Sequence, residues 1–212
     1  MKLVVFSIDK YSRIGPMFWD YLKDKWPQPF DSIFIANSLP INVSAPVVHV
    51  PARDMNFGRR IRLFLKDHYT DPYLMLMMID YIPKNANDGL LRKSAKLIET
   101  DSSIGHIRLR PMPPPRWPYD GDEDYGIIDK RKPYSLSLQP GMWESQLLYD
   151  LCRVGENAWH TETHGSTRTH HFPQTFLCTW KMAISHHNYY IKGRISPIPP
   201  NASWRIRGGR EE

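Results

Sequence analysis

Polar side chains stand at the ends of two of the most apolar segments of the chain. They are Ser7, Asp9 and Tyr11 at the end of residues 3–8, and Asp80 and Tyr81 after residues 73–79. Continuous apolar runs are typical of buried parallel strands, and open α/β sheets bind ligands outside the carboxyl ends of their strands. Asp80 also suits a simple cap at the end of a strand. We therefore predict a polar ligand site at the sheet edge that both runs share.

The order of the predicted elements specifies the sheet that would carry this site. Strands are predicted at residues 3–8, 32–36, 47–50 and 73–79, and amphipathic helices at residues 14–26, 57–66 and 88–98. Strands that alternate with helices in this way predict an α/β fold in which helices cover both faces of a mostly parallel central sheet.

The composition is that of one globular domain. The 212 residues are 41% hydrophobic and 24% charged, which is ordinary for a protein that buries its own core. Cys152 and Cys178 have no metal-ligand spacing and cannot form a disulfide framework, so a reducing cytoplasm is expected. No apolar segment approaches the ~18 residues that span a bilayer, and the amino terminus lacks a signal-peptide cleavage site.

The net charge is +6 and the isoelectric point is near 9.3. A basic surface attracts polyanions, so nucleic acid, an anionic membrane and a diphosphate substrate all remain open as partners. The tail from residue 192 to residue 210 adds five basic and no acidic side chains. The predicted domain therefore covers residues 1–195, and residues 196–212 form a basic carboxyl-terminal tail.

The second half of the chain is less regular. Five prolines within residues 111–118 and a cluster of acids at 120–124 predict a long surface loop over residues 111–131. Residues 134–138 alternate as a half-buried strand does, and a short helix is predicted over residues 143–152. The pairs His170–His171 and His186–His187 lack the spacing of a zinc site.

Three segments, taken in order, resemble small GT-A glycosyltransferases of phage and bacterial surface-polysaccharide clusters. They are Ser7–Tyr11, the strand Leu74–Tyr81 and the stretch Tyr134–Trp143, which is followed by Glu156–Glu162 and Gly165–Ser166. The resemblance covers residues 1 to about 195. It implies a single GT-A-like, Rossmann-like domain that transfers a sugar, as a hexosyltransferase, from a nucleotide sugar to a hydroxyl group.

The resemblance also implies roles for individual residues. Ser7, Asp9 and Tyr11 would line the nucleotide pocket, with Tyr11 either stacked on the base or packed on the following helix. Asp80 stands where the family has the second carboxylate of an Asp-Asp-Tyr motif, so Asp80 and Tyr81 would bind a UDP-sugar and Asp80 would hold Mn²⁺ or Mg²⁺. Ile79 replaces the first Asp of that motif, which leaves metal dependence open.

An inverting transferase needs a carboxylate that takes the proton of the acceptor hydroxyl. Glu162 matches the carboxylate that follows the Trp of the family motif and is the first candidate; Glu156 is the second. Gln139 and Trp143 would border the reaction centre and contact the acceptor, although burial suits Trp143 equally well.

Two acceptor classes follow from the resemblance: lipid-linked sugars, and 5-hydroxymethylcytosine in DNA. DNA is favoured because basic residues alternate with aromatic ones in the arginine-rich helix and in the tail, where Arg205 and Arg207 follow Trp204. Arg116 and Trp117 in the Pro-rich loop would act as a wedge beside a flipped base, or form an ordinary loop. A phage transferase of this kind would act in the host cytoplasm. An inactive nucleic-acid-binding module with the same fold is a further alternative.

Overall fold

The computed structural model describes residues 1–51, 56–120, 122–191 and 194–196. The five α-helices are α1 (Gly15–Lys25), α2 (Phe57–Asp67), α3 (Asp88–Thr100), α4 (Ser145–Leu151) and α5 (Ala158–Arg168). The first seven strands are β1 (Lys2–Phe6), β2 (Ser32–Ala36), β3 (Val47–His49), β4 (Tyr73–Met78), β5 (Tyr81–Ala86), β6 (Ile104–Arg108) and β7 (Trp117–Pro118). The others are β8 (Tyr125–Ile127), β9 (Gly141–Glu144), β10 (Thr175–Thr179), β11 (Ile184–Asn188), β12 (Tyr190–Ile191) and β13 (Arg194–Ile195).

Nine strands form one central sheet in the order β3-β2-β1-β4-β9-β6-β10-β8-β7. The pairings give β3, β2, β1, β4, β6, β10 and β7 one direction, and give β9 and β8 the opposite direction. The predicted α/β fold with a mostly parallel central sheet is thus confirmed. A separate antiparallel pair, β5 with β11, follows the end of β4, and β5 packs against α1.

Both faces of the sheet are buried, which explains the continuous apolar runs. Successive side chains of a strand point to opposite faces, so Leu3 and Val5 join the core under α1 and α3. Val4 and Phe6 join the second core under α2 and α4. The helices that cover β1 and β4 therefore lie on opposite faces, and the carboxyl ends of these strands stay open between them.

The irregular second half differs from prediction in three places. Residues 134–138 form no strand, because all the side chains from Ser135 to Leu138 are buried and the two serine hydroxyls bind other segments. The predicted helix from residue 143 begins at Ser145, since β9 occupies Gly141–Glu144. The predicted loop over residues 111–131 contains the paired strands β7 and β8.

Two elements that the sequence did not predict complete the fold. The central strand β10 pairs with β6 and β8, and α5 packs against α2 and α4. No helix among the described residues is long and apolar enough to cross a membrane. The predicted basic tail lies outside the described residues from residue 197 onward, so its separation from the domain stays a prediction.

Candidate functional site

A cleft of about 310 Å³ opens at the carboxyl ends of β1 and β4, where the strand-end rule places a ligand. Its lining residues come from the ends of both strands and from the first turns of α2 and α5: Phe6, Ile8, Tyr11, Phe57, Met78, Asp80, Tyr81, Asn157, Ala158 and Trp159. Three of the five residues predicted to bind the donor, Tyr11, Asp80 and Tyr81, thus share one cleft. We call it the first cleft.

Asp80 is the one carboxylate among the residues that line the first cleft. Burial raises its pKa to about 6, well above the ordinary value for Asp, and a hydrogen bond from its own backbone lowers the pKa only in part. The backbone oxygen of Asp80 accepts a 2.8 Å hydrogen bond from Tyr189, which fixes the end of β4 to the segment after β11. The backbone of Asp80 is thus fixed, and its desolvated carboxylate can bind a cation or a hydrogen-bond donor of a ligand.

Tyr11 enters the first cleft with one ring face covered. Its ring stacks on Tyr190 with 4.4 Å between the centroids, and the ammonium group of Lys10 lies 5.8 Å from the Tyr11 centroid. Tyr11 is therefore stacked on the segment after β11, and it also packs against the core cluster that contains the buried residues of α1.

Ser7 and Asp9 support the first cleft from behind and do not line it. Ser7 is 1% exposed, and its backbone oxygen accepts a 2.7 Å hydrogen bond from the guanidinium of Arg60. The carboxylate of Asp9 accepts hydrogen bonds from the backbone of Ser38 and Leu39 at 2.8 Å. Burial of Asp9 alone would raise its pKa, but these donors lower it below its ordinary value. Both predicted donor residues thus shape the loops at the strand ends.

The arginine-rich helix α2 offers less free basic surface than its sequence indicates. Arg60 is 1% exposed and also donates to the backbone oxygen of Val50. Arg62 donates to the backbone oxygen of Tyr149 and lies 3.7 Å from the centroid of that ring. These two guanidinium groups therefore hold the fold together, which lowers the expected contribution of α2 to phosphate binding.

A second cleft of about 460 Å³ adjoins the first across Tyr81, which lines both. It lies between the Pro-rich segment, residues 134–139 and α5, and its other lining residues are Pro111, Met112, Pro113, Pro114, Tyr134, Ser137, Gln139 and Glu162. The predicted base and one predicted acceptor contact, Glu162 and Gln139, thus share the second cleft. The buried side-chain oxygen of Gln139 has no hydrogen-bond partner among the described residues.

Glu162 is held by the segment that precedes β9. Its Oε1 accepts hydrogen bonds from the Leu138 backbone at 2.7 Å and from the Ser137 hydroxyl at 3.1 Å. Burial raises the pKa of Glu162 above its ordinary value, and these donors and the Arg108 guanidinium offset only part of that effect. A carboxylate with a raised pKa and one oxygen fixed by two donors has the properties of a general base.

Tyr81 separates the two clefts and is itself immobilised. Its ring stacks on His186 at 4.3 Å, and the Nε2 of His186 lies 3.1 Å from a guanidinium nitrogen of Arg110. Burial lowers the pKa of His186 to about 3, so the imidazole stays neutral and accepts the Arg110 hydrogen bond. Burial raises the pKa of Tyr81, and the charges of Glu162 and Asp80 raise it further. Both carboxylates thus lie close to one phenol.

Two residues that were predicted to belong to the site, Trp143 and Glu156, line neither cleft. Trp143 is fully buried in the second core and stacks on His106 at 3.6 Å, so the predicted acceptor contact is wrong and the alternative, burial, is correct. Glu156 forms a two-pronged ion pair with Arg168 at 2.7 and 2.8 Å and lines neither cleft. The geometry therefore favours Glu162 over Glu156 as the base.

The predicted DNA contacts are exposed or lie outside the described residues. Trp117 is 46% exposed on the edge strand β7, and the Arg116 guanidinium lies 4.7 Å from its ring centroid while pairing with Asp129. Both are accessible to a partner, although neither lines the two clefts. Arg205 and Arg207 lie outside the described residues.

Sequence reasoning missed the contribution of two helix starts. Asn56 and Asn157 cap α2 and α5 by accepting hydrogen bonds from Arg59 and His160, and the residues just after these caps line the first cleft. The start of a helix carries a partial positive charge that favours anions. Trp159, 60% exposed at the same place, adds a free aromatic face. The signal available in the sequence was an Asn directly before each helix, because Asn is a preferred residue at the N-cap.

The described residues contain no group of three His, Cys, Asp or Glu side chains that could hold a metal ion. A single carboxylate at an open cleft nevertheless fits Mg²⁺ or Mn²⁺, because Mg²⁺ is commonly bound by one or two carboxylates together with substrate phosphates. Ile79, where the family has its first Asp, is 0% exposed and belongs to the core under α1 and α3. Asp80 is thus the protein ligand available to such an ion.

No protein-family model matches the chain, and no curated protein matches it by sequence. Among solved structures, a mycobacterial protein aligns with a TM-score of 0.52 and 12% identity, over 88% of this chain and 67% of its own. TarS 1–349 of S. aureus aligns with a TM-score of 0.53 and 12% identity over 86% of this chain, which spans 58% of that structure. The galactosyltransferase LgtC, solved with donor and acceptor sugar analogues, aligns only at a TM-score of 0.41, which is too loose to compare sites. The first two alignments show that the chain shares its mostly parallel α/β fold with these structures.

Proposed function

We propose that the protein is a glycosyltransferase that moves a hexose from a nucleotide sugar, a UDP-sugar, to a hydroxyl group of an acceptor. The observation that supports this most directly is the pair of clefts that meet at Tyr81, with Asp80 in the first and Glu162 in the second. An inverting transferase needs this division, since the acceptor hydroxyl must reach the anomeric carbon of the donor sugar from the side opposite the leaving diphosphate.

The first cleft suits the donor because each of its features favours a nucleoside diphosphate. The starts of α2 and α5 favour the negative charge of the diphosphate, and Trp159 offers a ring face to the base. A divalent cation, when bound by Asp80 and the phosphates, would neutralise the leaving diphosphate. Tyr11 lines this cleft, while Ser7 and Asp9 hold the loops at the strand ends in place.

The second cleft suits the acceptor. Its volume of about 460 Å³ falls within the usual range of small-molecule sites, roughly 300–1,000 Å³. Gln139 accepts a hydrogen bond from an acceptor hydroxyl, and Glu162 takes the proton of the reacting hydroxyl. The acceptor oxygen then bonds to the anomeric carbon of the sugar, and the bond from that carbon to the diphosphate oxygen breaks with its electron pair.

For the acceptor we favour 5-hydroxymethylcytosine in DNA. A net charge of +6 suits a polyanionic partner, and Arg116 and Trp117 present a cation and a ring next to the Pro-rich wall of the second cleft. A flipped base would enter the second cleft with its hydroxymethyl group toward Glu162. Arg205 and Arg207 in the tail would contact further phosphates outside a catalytic domain of residues 1–195.

A second candidate function is an inactive nucleic-acid-binding module. The observation that favours it is Ile79, which turns into the core where the family has a carboxylate. Such a module would bind DNA and leave nucleotide sugars intact. Hydrolysis of UDP-glucose without any acceptor, at a rate abolished in Asp80→Ala, would exclude it.

The deciding experiment follows radiolabelled sugar from UDP-glucose, with Mn²⁺ or Mg²⁺, to three acceptors in parallel: DNA containing 5-hydroxymethylcytosine, unmodified DNA and a lipid-linked sugar. Label on the modified DNA alone supports the full proposal. Label on the lipid-linked sugar alone keeps the glycosyltransferase and refutes the DNA acceptor. No label and no hydrolysis with any hexose donor refutes the transferase.

A further inference from the structure

A basic pocket of about 500 Å³ lies beside the second cleft and is not used in the reaction described above. Its lining residues are Lys130, Arg131, Lys132, Pro133, Tyr134, Thr163, Ser166, Thr167 and His170. Three consecutive cations, three aliphatic hydroxyl groups, one phenol and an imidazole thus surround one space, and none of these described lining residues is acidic. The hydroxyls of Thr163, Ser166 and Thr167 each donate to a backbone oxygen of α5, so the charged side chains are the groups left to bind phosphate oxygens.

The basic pocket and the second cleft are parts of one groove. Tyr134 lines both, and α5 supplies Glu162 to the cleft and Ser166 to the pocket one helical turn further on. The hydroxyl of Ser166 donates to the backbone oxygen of Glu162 at 2.6 Å, so the two positions are rigidly linked. A ligand with a phosphate in the pocket would therefore have its neighbouring group in the second cleft.

Tyr134 adds a second, independent observation. Its φ of 58° lies in the left-handed region, which is unfavourable for a bulky side chain and is concentrated at functional sites. The buried guanidinium of Arg108 maintains this conformation by donating to the backbone oxygens of Tyr134 and Pro113, which belong to the two walls of the second cleft. The strain places the Tyr134 ring between pocket and cleft, where it remains 42% exposed.

The three cations of the pocket, Lys130, Arg131 and Lys132, differ in their contacts with the rest of the protein. Lys130 donates to the backbone oxygens of Phe172 and Gln174 and so anchors the segment. Arg131 and Lys132 are exposed, and no ion pair of either side chain is found among the described residues. Their charges are therefore available to a ligand, and they can be replaced without removing a contact that holds the fold.

We propose that this pocket binds a backbone phosphate of the DNA acceptor and thereby presents the neighbouring flipped nucleotide to Glu162. The inference rests on the proposed function for the identity of the acceptor, while the pocket itself is defined by its own residues. DNA is favoured over a diphosphate lipid because the groove joins the basic pocket to an open cleft flanked by Arg116 and Trp117, which are exposed as DNA contacts need to be.

The test measures binding without any donor, so that its result does not depend on catalysis. Fluorescence anisotropy is recorded for a short labelled duplex with one 5-hydroxymethylcytosine, over a series of salt concentrations. The double variant Arg131→Gln/Lys132→Gln is compared with Lys23→Gln/Lys96→Gln, which removes the same charge from exposed positions on α1 and α3. A second duplex carries uncharged methylphosphonates beside the modified base.

The pocket variant is expected to lower the salt slope by about 1.4 to 1.8, or about 0.7 to 0.9 for each lost phosphate contact. At 0.1 M salt this weakens binding of the ordinary duplex by roughly 25- to 60-fold. The control variant is expected to change the slope by less than half as much, and the pocket variant is expected to match the unchanged protein on the methylphosphonate duplex.

Three results would overturn the inference: no duplex binding by the unchanged protein, equal slope changes for both variants, or an equal loss on the methylphosphonate duplex. A fourth result would replace DNA with a different ligand of the pocket. If the pocket variant loses binding to phosphatidylcholine vesicles that contain a polyprenyl diphosphate, while its DNA slope is unchanged, the ligand is a lipid diphosphate. Acceptor-free hydrolysis of UDP-glucose, measured on the same samples, reports separately whether the proposed transferase chemistry fails.

Discussion

Replacing Glu162 with Gln tests the proposed chemistry with the smallest structural change. The amide oxygen of Gln can still accept the hydrogen bonds that Leu138 and Ser137 donate to Oε1, at 2.7 and 3.1 Å in the protein. The substitution therefore keeps the shape of the second cleft and removes the ability to accept a proton. Since the proposed donor site is the first cleft, the affinity for the donor should stay within about twofold.

The size of the expected loss in kcat follows from the proposed role of Glu162 as a general base. A positioned general base contributes about 10²- to 10⁴-fold, which corresponds to about 3–5 kcal/mol of transition-state stabilisation. We expect kcat of Glu162→Gln to fall in this range, with KM for the donor nearly unchanged. An effect of this form marks an interaction made only in the transition state.

The pH dependence gives the same test a second readout. Because burial raises the pKa of Glu162, the unchanged protein should gain activity as pH rises through a value above the ordinary one for Glu, about 4.3. The folded protein also binds more protons than the unfolded chain between these two pKa values, so the free energy of unfolding should fall as pH rises there. Glu162→Gln should lose this rise in activity and the contribution of Glu162 to the fall in stability, while the contribution of Asp80, whose pKa is raised to about 6, remains.

The assay is steady-state transfer of labelled sugar, together with calorimetric titration of the donor. Glu156→Gln is the matched control, because it changes the same chemical group on the neighbouring stretch of chain. It weakens the ion pair with Arg168 and should lower stability by about 1–3 kcal/mol while leaving kcat within a few-fold. Near-normal turnover of Glu162→Gln, or a loss confined to Glu156→Gln, would refute the assignment of the base.

Three further predictions concern the first cleft. Asp80→Asn should lower kcat/KM by at least about 100-fold without lowering the melting temperature, because it replaces a desolvated charge; a normal rate in a kinetic assay would exclude Asp80 from the site. Trp159→Ala should weaken UDP binding by roughly 5- to 10-fold in calorimetry through loss of ring stacking, whereas Trp117→Ala, exposed on β7, should leave it unchanged. Titration with Mn²⁺ should give measurable heat only when UDP is present, because Asp80 is the one carboxylate lining the cleft; tight binding of Mn²⁺ to the protein alone would show that the ion has protein ligands beyond Asp80.

The central sheet could be predicted from sequence because its strands are buried on both faces. Runs such as Leu3–Phe6 and Leu74–Met77 contain only apolar residues, so neither their type nor their position was ambiguous. The site at their carboxyl ends followed from topology alone. Local sequence patterns are thus sufficient to predict a strand when all of its residues are buried.

The rest of the site could not be predicted, because its elements are stabilised by specific polar contacts. Helix α5 carries few apolar side chains, and the buried Ser166 and Thr161 take the place of a hydrophobic stripe. The alternating residues 134–138 mimic a strand, yet their polar members bind Glu162 and Thr169 and not a neighbouring strand. Such contacts depend on distant parts of the chain and leave no local period in the sequence.

The single carboxylate of the first cleft is explained by the direction of the side chains at the end of β4. Ile79 turns into the core, whereas Asp80 turns toward the opening, so a carboxylate at position 79 in this backbone would be buried among apolar residues. An unpaired charge in that place would cost several kcal/mol. In the proposed donor complex, a cation bound to Asp80 and the starts of α2 and α5 would together balance the charge of the diphosphate, so the two Asn caps that fix those helix starts would contribute to donor binding.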